Sequence, residues 1–146
     1  MTIDSTTQKT LRESRFGQIT ADKLMETAVR SETSEATAEL IASMLMEGFG
    51  SVPIIDHDDR LLGIVSEFDL LNTIASGKTL AQVKAGEIMT SNPISVTTDT
   101  DVFTVIEVLQ NNHLIRVPVV NSSGKLVGIL ARRDVLRGYL QANASW

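Results

Sequence analysis

The sequence predicts an α/β (α+β) fold made of two β-α-β-β-α units packed sheet to sheet about a pseudo-two-fold axis. Three observations predict it. Aligned with itself at an offset of 65, the chain places VPIIDHDDRLLGIVSEFDLL (52–71) on VPVVNSSGKLVGILARRDVL (117–136) without a gap, and seven of the twenty pairs are identical. Unrelated segments would share about one, so the match marks an internal duplication. Each copy is preceded by apolar residues at helical spacing, and each contains two β-branched runs separated by a polar turn. One unit of this size has too little core to stand comfortably alone, whereas two related sheets can bury their apolar faces together.

The elements follow in order. Short segments near Val29 and at Ile94–Val96 are read as the first strand of each copy. Ala36, Leu40, Ile41, Met44 and Leu45 recur at i, i+3, i+4, as do Val102, Val105, Ile106 and Leu109, and each set marks an amphipathic helix. Ser34 is expected to open the first helix, and Asp99 or Thr100 to cap the second. The runs Val52–Ile55 and Leu61–Val65 form one hairpin, and Val117–Val120 and Leu126–Leu130 form its counterpart. A closing helix is expected to bury Leu70, Leu71 and Ile74 in the first copy and Val135, Leu136 and Tyr139 in the second. The chain therefore divides into an N-terminal tail (1–15), a first motif (16–77), a linker (78–83), a second motif (84–142) and a C-terminal tail (143–146).

Composition narrows the function classes. Hydrophobic residues make up 42% and charged residues 21% of the 146 residues, the proportions of a globular chain, and no apolar run is long enough to cross a bilayer. With no cysteine and no signal-peptide pattern at the start, a cytoplasmic location is expected. Residues 1–82 hold 7 Lys and Arg against 13 Asp and Glu, and residues 83–146 hold 6 against 5. Without a basic excess, and with 4% aromatic residues to stack on bases, nucleic acid is not an expected partner. The two histidines are isolated, and no His-Glu-x-x-His, Ser/His/Asp order or pair of catalytic carboxylates occurs, so an enzyme is not expected. Gly77-Lys78-Thr79 follows a helix and lacks the earlier glycine of a phosphate loop, which makes it a linker turn. His57 sits in an acidic hairpin turn, His113 is placed as a helix C-terminal cap, and Met25, Met44, Met46 and Met89 read as core filling.

The segment Gly63-Ile64-Val65-Ser66-Glu67-Phe68-Asp69, and the run from Glu87 to Ile94 ahead of the second copy, resemble the CBS (cystathionine β-synthase) domain family over about residues 18–142. The resemblance implies a disc-like module of two motifs that binds adenosine-containing ligands, such as AMP, ADP, ATP or S-adenosylmethionine, in clefts between them. It also implies pairing into a homodimer. By that resemblance Asp69 and Asp134 hold the ribose diol, which suits a carboxylate with two acceptor oxygens. Ser66 adds a hydroxyl in the first copy, where the second has Ala131. Gly63 and Gly128 would admit the sugar or base close to the backbone. The base is expected against Ala28, Val29, Val52, Pro53 and Ile64 in one copy, and Ile94, Val117, Pro118 and Ile129 in the other. Arg116, Arg132 and Arg133 surround the second copy's matching positions as phosphate contacts. A ligand-independent alternative exists for the Ser-x-x-Asp motif, because Ser66 and Asp69 also have the spacing of a helix capping box.

The expectation is thus a stand-alone regulatory module with no fixed cofactor. It would take an adenine nucleotide or S-adenosylmethionine as regulatory ligand, with one dominant site in the first copy, and act in trans on a regulated protein that the sequence does not identify. The alternative is a ligand-free structural or dimerisation module.

Overall fold

The computed structural model describes residues 11–143. Residues 1–10 of the expected N-terminal tail and 144–146 of the C-terminal tail lie outside the described residues. In chain order the elements are a 3-10 turn at Phe16–Gln18, helix α1 (Ala21–Leu24), strand β1 (Glu32–Thr33), α2 (Ala38–Met46), β2 (Ser51–Ile55), β3 (Leu61–Ser66) and α3 (Glu67–Ala75). They continue with a 3-10 turn at Leu80–Gln82, α4 (Ala85–Ile88), β4 (Thr90–Ser91), β5 (Val96–Thr97), α5 (Val102–Asn111), β6 (Arg116–Val120), β7 (Leu126–Ala131) and α6 (Arg132–Ala142).

Two compact units result. The first comprises Val29–Ile94 with the turn Ser123–Leu126. Its sheet has the order β1-β2-β3-β4. β1 runs parallel to β2, while β2 and β3 form the expected antiparallel hairpin, with Pro53 opposite Ile64 and a register shift between Ile54 and Ile55. β4 comes from the lead-in to the second motif and closes the sheet, pairing Ser91 with Gly63 and Thr90 with Ile64. Ile41, Met44, Val52, Ile54, Val65 and Leu70 fill the core. The alternation of the strands and the i, i+3, i+4 stripe of α2 turn these residues to one side.

The second unit takes Ser95–Ser122, the described residues from Val127 onward and the described residues up to Ala28. Its sheet runs β5-β6-β7, with β5 parallel to β6. Glu26 makes an antiparallel bridge to Ile129 on the outer side of β7, with both N–H to O distances near 3 Å (2.8 and 3.0 Å). This is the place that β4 takes on β3. The core gathers Val102, Val105, Val117, Val119, Leu130 and Val135 with Phe16, Ala21 and Leu24 from the segment before the first motif. Phe16 also meets Phe103 and Tyr139 edge to face, at ring-centroid distances of 5.8 and 5.2 Å.

Several local expectations need correction. The first strand lies at Glu32–Thr33 and not near Val29. Thr37, not Ser34, caps α2, accepting the Leu40 N–H at 3.1 Å. Ser34 and Ala36 are upstream because their carbonyls accept the N–H groups of Gly86 and Ala85, which holds that stretch out of the helix. Asp101 caps α5 through the N–H groups of Phe103 and Thr104. Asp99 and Thr100 are already engaged with Thr97. In the closing helices only Leu70 and Val135 of the expected residues are buried. Leu71, Ile74, Leu136 and Tyr139 are 45 to 64% exposed, because the inward stripe continues through Thr73 and Gly138. Met46 is exposed as well, unlike Met44. His113 has the expected terminal role: at φ 53 it lets its own N–H reach Gln110 O and the Leu114 N–H reach Leu109 O.

Candidate functional site

The hairpin of each unit delivers its second strand directly into a helix, so the first turn of that helix sits at the sheet's end. In the first unit Ser66 is the N-cap of α3 and forms a full capping box with Asp69. The Ser66 N–H donates to Asp69 Oδ2 at 2.9 Å, the Ser66 hydroxyl donates to the same oxygen at 3.1 Å, and the Asp69 N–H donates to Ser66 Oγ at 3.4 Å. Two donors thus fill Oδ2. Oδ1 has no hydrogen-bond partner among the described residues and keeps both of its lone pairs. Asp69 is half-buried, and it borders a recess of about 220 Å³ that is also lined by Asn72, Thr73, Ser76, Lys78 and Ile88. Thr73 and Ser76 spend their hydroxyls on backbone carbonyls of their own helix. The Asn72 amide and Lys78 ammonium make no bond to any described residue. The recess is therefore lined by one carboxylate, one amide and one cation.

The second unit repeats the backbone but not the chemistry. The Ala131 N–H donates to Asp134 Oδ2 at 2.8 Å, as Ser66 does to Asp69, but no side chain caps α6. Asp134 Oδ1 accepts from Arg137 Nη1 at 3.0 Å, and the same Nη1 reaches Glu26 Oε1 at 3.4 Å. The Asp134 side chain is 3% exposed. Each of its oxygens accepts one bond from within the chain, and the enclosed carboxylate has Arg137 on the oxygen that Asp69 leaves unbonded.

The other candidate residues separate by unit. Val29, Val52, Pro53, Ile64 and Ile94 belong with Ser66 and Asp69. Ala28, Arg116, Val117, Pro118, Ile129, Arg132 and Arg133 belong with Asp134. Val52 and Val117 are fully enclosed, their side chains filling the two cores, and both prolines are buried. Ile64, Val29 and Ile129 are half-buried, while Ile94 and Ala28 are exposed. Arg132 borders an apolar recess of about 320 Å³ with Ile106, Leu109, Gln110, Val135 and Leu136. None of Arg116, Arg132 and Arg133 has an ion-pair partner among the described residues.

Gly63 and Gly128 serve packing. A Cβ on Gly63 would fall 2.8 Å from the Thr90 carbonyl oxygen and collide with the Met89 thioether, and one on Gly128 would fall 3.0 Å from the Glu26 carbonyl oxygen and collide with Met25. Space expected for a sugar or base is thus taken by methionine and by the added backbone at each sheet edge. In the acidic turn, Asp56 Oδ1 accepts from the Asp58 and Arg60 N–H groups at 2.8 and 2.9 Å, which holds its carboxyl below the usual aspartate range, the Arg60 N–H being the larger cause. Among the described residues no group of three His, Cys, Asp or Glu is placed to hold a metal ion, and no helix is long and apolar enough to cross a membrane.

Asn72, Lys78, Glu26 and Arg137 escaped the reading of the sequence. The signal for Arg137 was present, since Asp134 and Arg137 lie three residues apart on a helix, where opposite charges meet. A second alignment, at an offset of 64, matches Ala21 with Ala85 and Met25 with Met89 and would have placed Glu26 opposite Thr90.

Comparison with known proteins gives concordant matches. A family model described as CBS domain matches residues 21–76 and again 85–141. An uncharacterized protein of Methanopyrus kandleri is 31% identical over 110 residues, covering 75% of this chain and 56% of the relative. The chloroplastic CBS domain-containing protein CBSX1 of Arabidopsis thaliana is 31% identical over 140 residues, covering 77% of this chain and 58% of the relative. The chain thus spans between half and two-thirds of the length of these curated relatives. Among solved structures, CBSX2 in complex with AMP superposes with a TM-score of 0.75 at 28% identity, over 86% of this chain and 98% of that one. The CBS domain protein PAE2072 from Pyrobaculum aerophilum, complexed with AMP, gives a TM-score of 0.70 at 30% identity, over 80% and 89%.

Proposed function

The chain belongs to the CBS domain family, with two tandem copies, and from that premise we propose that it is a regulatory module that binds an adenosine-containing ligand at Asp69. The observation that carries the proposal is the half-buried Asp69 carboxylate, which keeps Oδ1 free of bonds to described residues and lines a recess together with Asn72 and Lys78. A cis-diol presents two adjacent hydroxyl donors, and one carboxylate oxygen with two open lone pairs can accept both. Ile64, in the strand leading to Ser66, offers apolar surface to the base, and Lys78, which lines the same recess as Asp69, is the cation to receive a phosphate. Bound AMP in CBSX2 and in PAE2072 supports the ligand class.

The module would work by population shift: a ligand that prefers one of two conformations raises its share and alters a surface read by a partner protein. Exposed apolar rows support self-association as part of that output. Phe68, Leu71 and Ile74 form such a row on α3, and Leu136, Tyr139 and Leu140 form one on α6. The capping box favours a second reading, a structural module without ligand, because Ser66 and Asp69 already satisfy each other.

A thermal-shift series with adenosine, AMP, ADP, ATP and S-adenosylmethionine separates the two. Ligand at a hundred times its dissociation constant adds about 2.7 kcal/mol, a shift of several degrees. Asp69→Asn keeps an acceptor for the Ser66 N–H but removes the charge, and is expected to weaken binding about tenfold or more. No shift with any of the five compounds would favour the structural reading. Equal affinity for adenosine, AMP and ADP would remove the phosphate contact from the proposal.

A further inference from the structure

The two repeats can be compared atom by atom at the same place. At an offset of 65, Asp69 corresponds to Asp134 and Asn72 to Arg137. Both aspartates anchor Oδ2 on the N–H of the residue three positions earlier, at 2.9 Å in the first copy and 2.8 Å in the second. They differ in the other oxygen. Asp69 Oδ1 is open, and Asn72 beside it is unbonded to any described residue. Asp134 Oδ1 is held by Arg137 Nη1 at 3.0 Å, and Arg137 is tethered again by Glu26 at 3.4 Å, from the segment bridged to β7.

We propose that Arg137 is a built-in stopper: it occupies on Asp134 the acceptor that a ligand diol would need, so that each chain carries one open adenosine site, at Asp69, and one closed site, at Asp134. The proposal rests on the adenosine-binding reading and deepens it. The guanidinium suits the task because its donors satisfy a buried carboxylate as hydroxyls would, with charge added. Its own side chain is 46% exposed, so on displacement the guanidinium returns to water and the diol takes its place on the enclosed Asp134 carboxylate. A diol competing for Asp134 must first break a charge-assisted bond, a penalty of about ten- to a hundredfold in affinity. The Glu26 contact adds to the hold by fixing the guanidinium from a second element.

Calorimetric titration with AMP tests this on the full chain in four forms: wild type, Asp69→Asn, Arg137→Asn and the double variant. Arg137→Asn copies the residue that the first repeat already carries at this helix position, and circular dichroism with a melting curve checks its fold. Arg137→Gln serves as a second variant, longer and equally uncharged. Expected are one AMP per wild-type chain, lost in Asp69→Asn; two per chain in Arg137→Asn and Arg137→Gln; and one in the double variant, through Asp134. Removing a positive charge weakens a general attraction for an anionic ligand, so a gain in binding cannot come from net charge. Two sites in the wild type, or a single unchanged site in folded Arg137→Asn and Arg137→Gln, would overturn the stopper. Loss of the adenosine-binding reading looks different: no AMP binds to any form. Binding that appears only when Arg137 is replaced would uphold the stopper while removing Asp69 as the open site.

Discussion

An aspartate in the first turn of a helix meets two demands, the free N–H groups of the turn and whatever else approaches. At Asp101 the first demand is met within the chain. Its carboxylate accepts from the Thr104 hydroxyl at 2.6 Å and from the N–H groups of Phe103 and Thr104, and these bonds hold its pKa below the usual aspartate value, the Thr104 hydroxyl being the largest cause. A carboxyl whose folded pKa is depressed adds stability that is present above the unfolded value of about 3.9 and is lost as pH falls through the folded value. Asp101→Ala is therefore expected to cost about 1 kcal/mol at neutral pH. Urea unfolding of the two proteins should converge as pH falls below about 4. A gap that persists in acid would mean the loss is one of packing. Asp69 and Asp134 occupy the corresponding helix turn, and they differ in the second oxygen, which is unbonded to described residues in Asp69 and held by Arg137 in Asp134.

At the scale of elements, α3 and α6 each turn one narrow stripe inward and leave large apolar residues outside. Leu71 and Leu136 are both 64% exposed, at matching positions of the repeat. These rows are the surface that the proposed self-association would cover. The double substitution Leu71→Glu with Leu136→Glu is expected to leave the fold intact, since neither side chain is in a core, and to shift sedimentation toward the monomer. An unchanged sedimentation coefficient in a wild type that is already monomeric would remove the homodimer from the proposed function. Amphipathic periodicity had placed the helices correctly yet overstated their apolar faces. A repeat of leucines and isoleucines does not say which residues of the stripe will have a neighbour.

At the scale of the whole molecule, each sheet is completed by a segment that precedes the other repeat in sequence. β4 pairs with β3 across Gly63 and Ile64, and Glu26 bridges to Ile129. A fragment ending at residue 77 leaves the outer edge of β3 bare, whereas one covering residues 29–94 keeps β4 on it. The second fragment is expected to show the more cooperative melting curve, and equal cooperativity would mean that β4 contributes little to the unit. Unpaired strand edges also invite aggregation, so the shorter fragment should lose solubility first. Duplication, helix spacing, hairpins and the Ser66/Asp69 cap were all legible in the residues, because each depends on neighbours a few positions apart or on a repeat that a self-alignment exposes. Tertiary structure alone decided which lead-in closes which sheet, which apolar residues on α3 and α6 stay outside, and that Gly63 and Gly128 make room for Met89 and Met25. It also decided the burial of Asp134 and the Glu26 contact to Arg137, since these depend on segments more than a hundred residues apart being brought together, whereas the Asp134–Arg137 pair itself follows from their i, i+3 spacing.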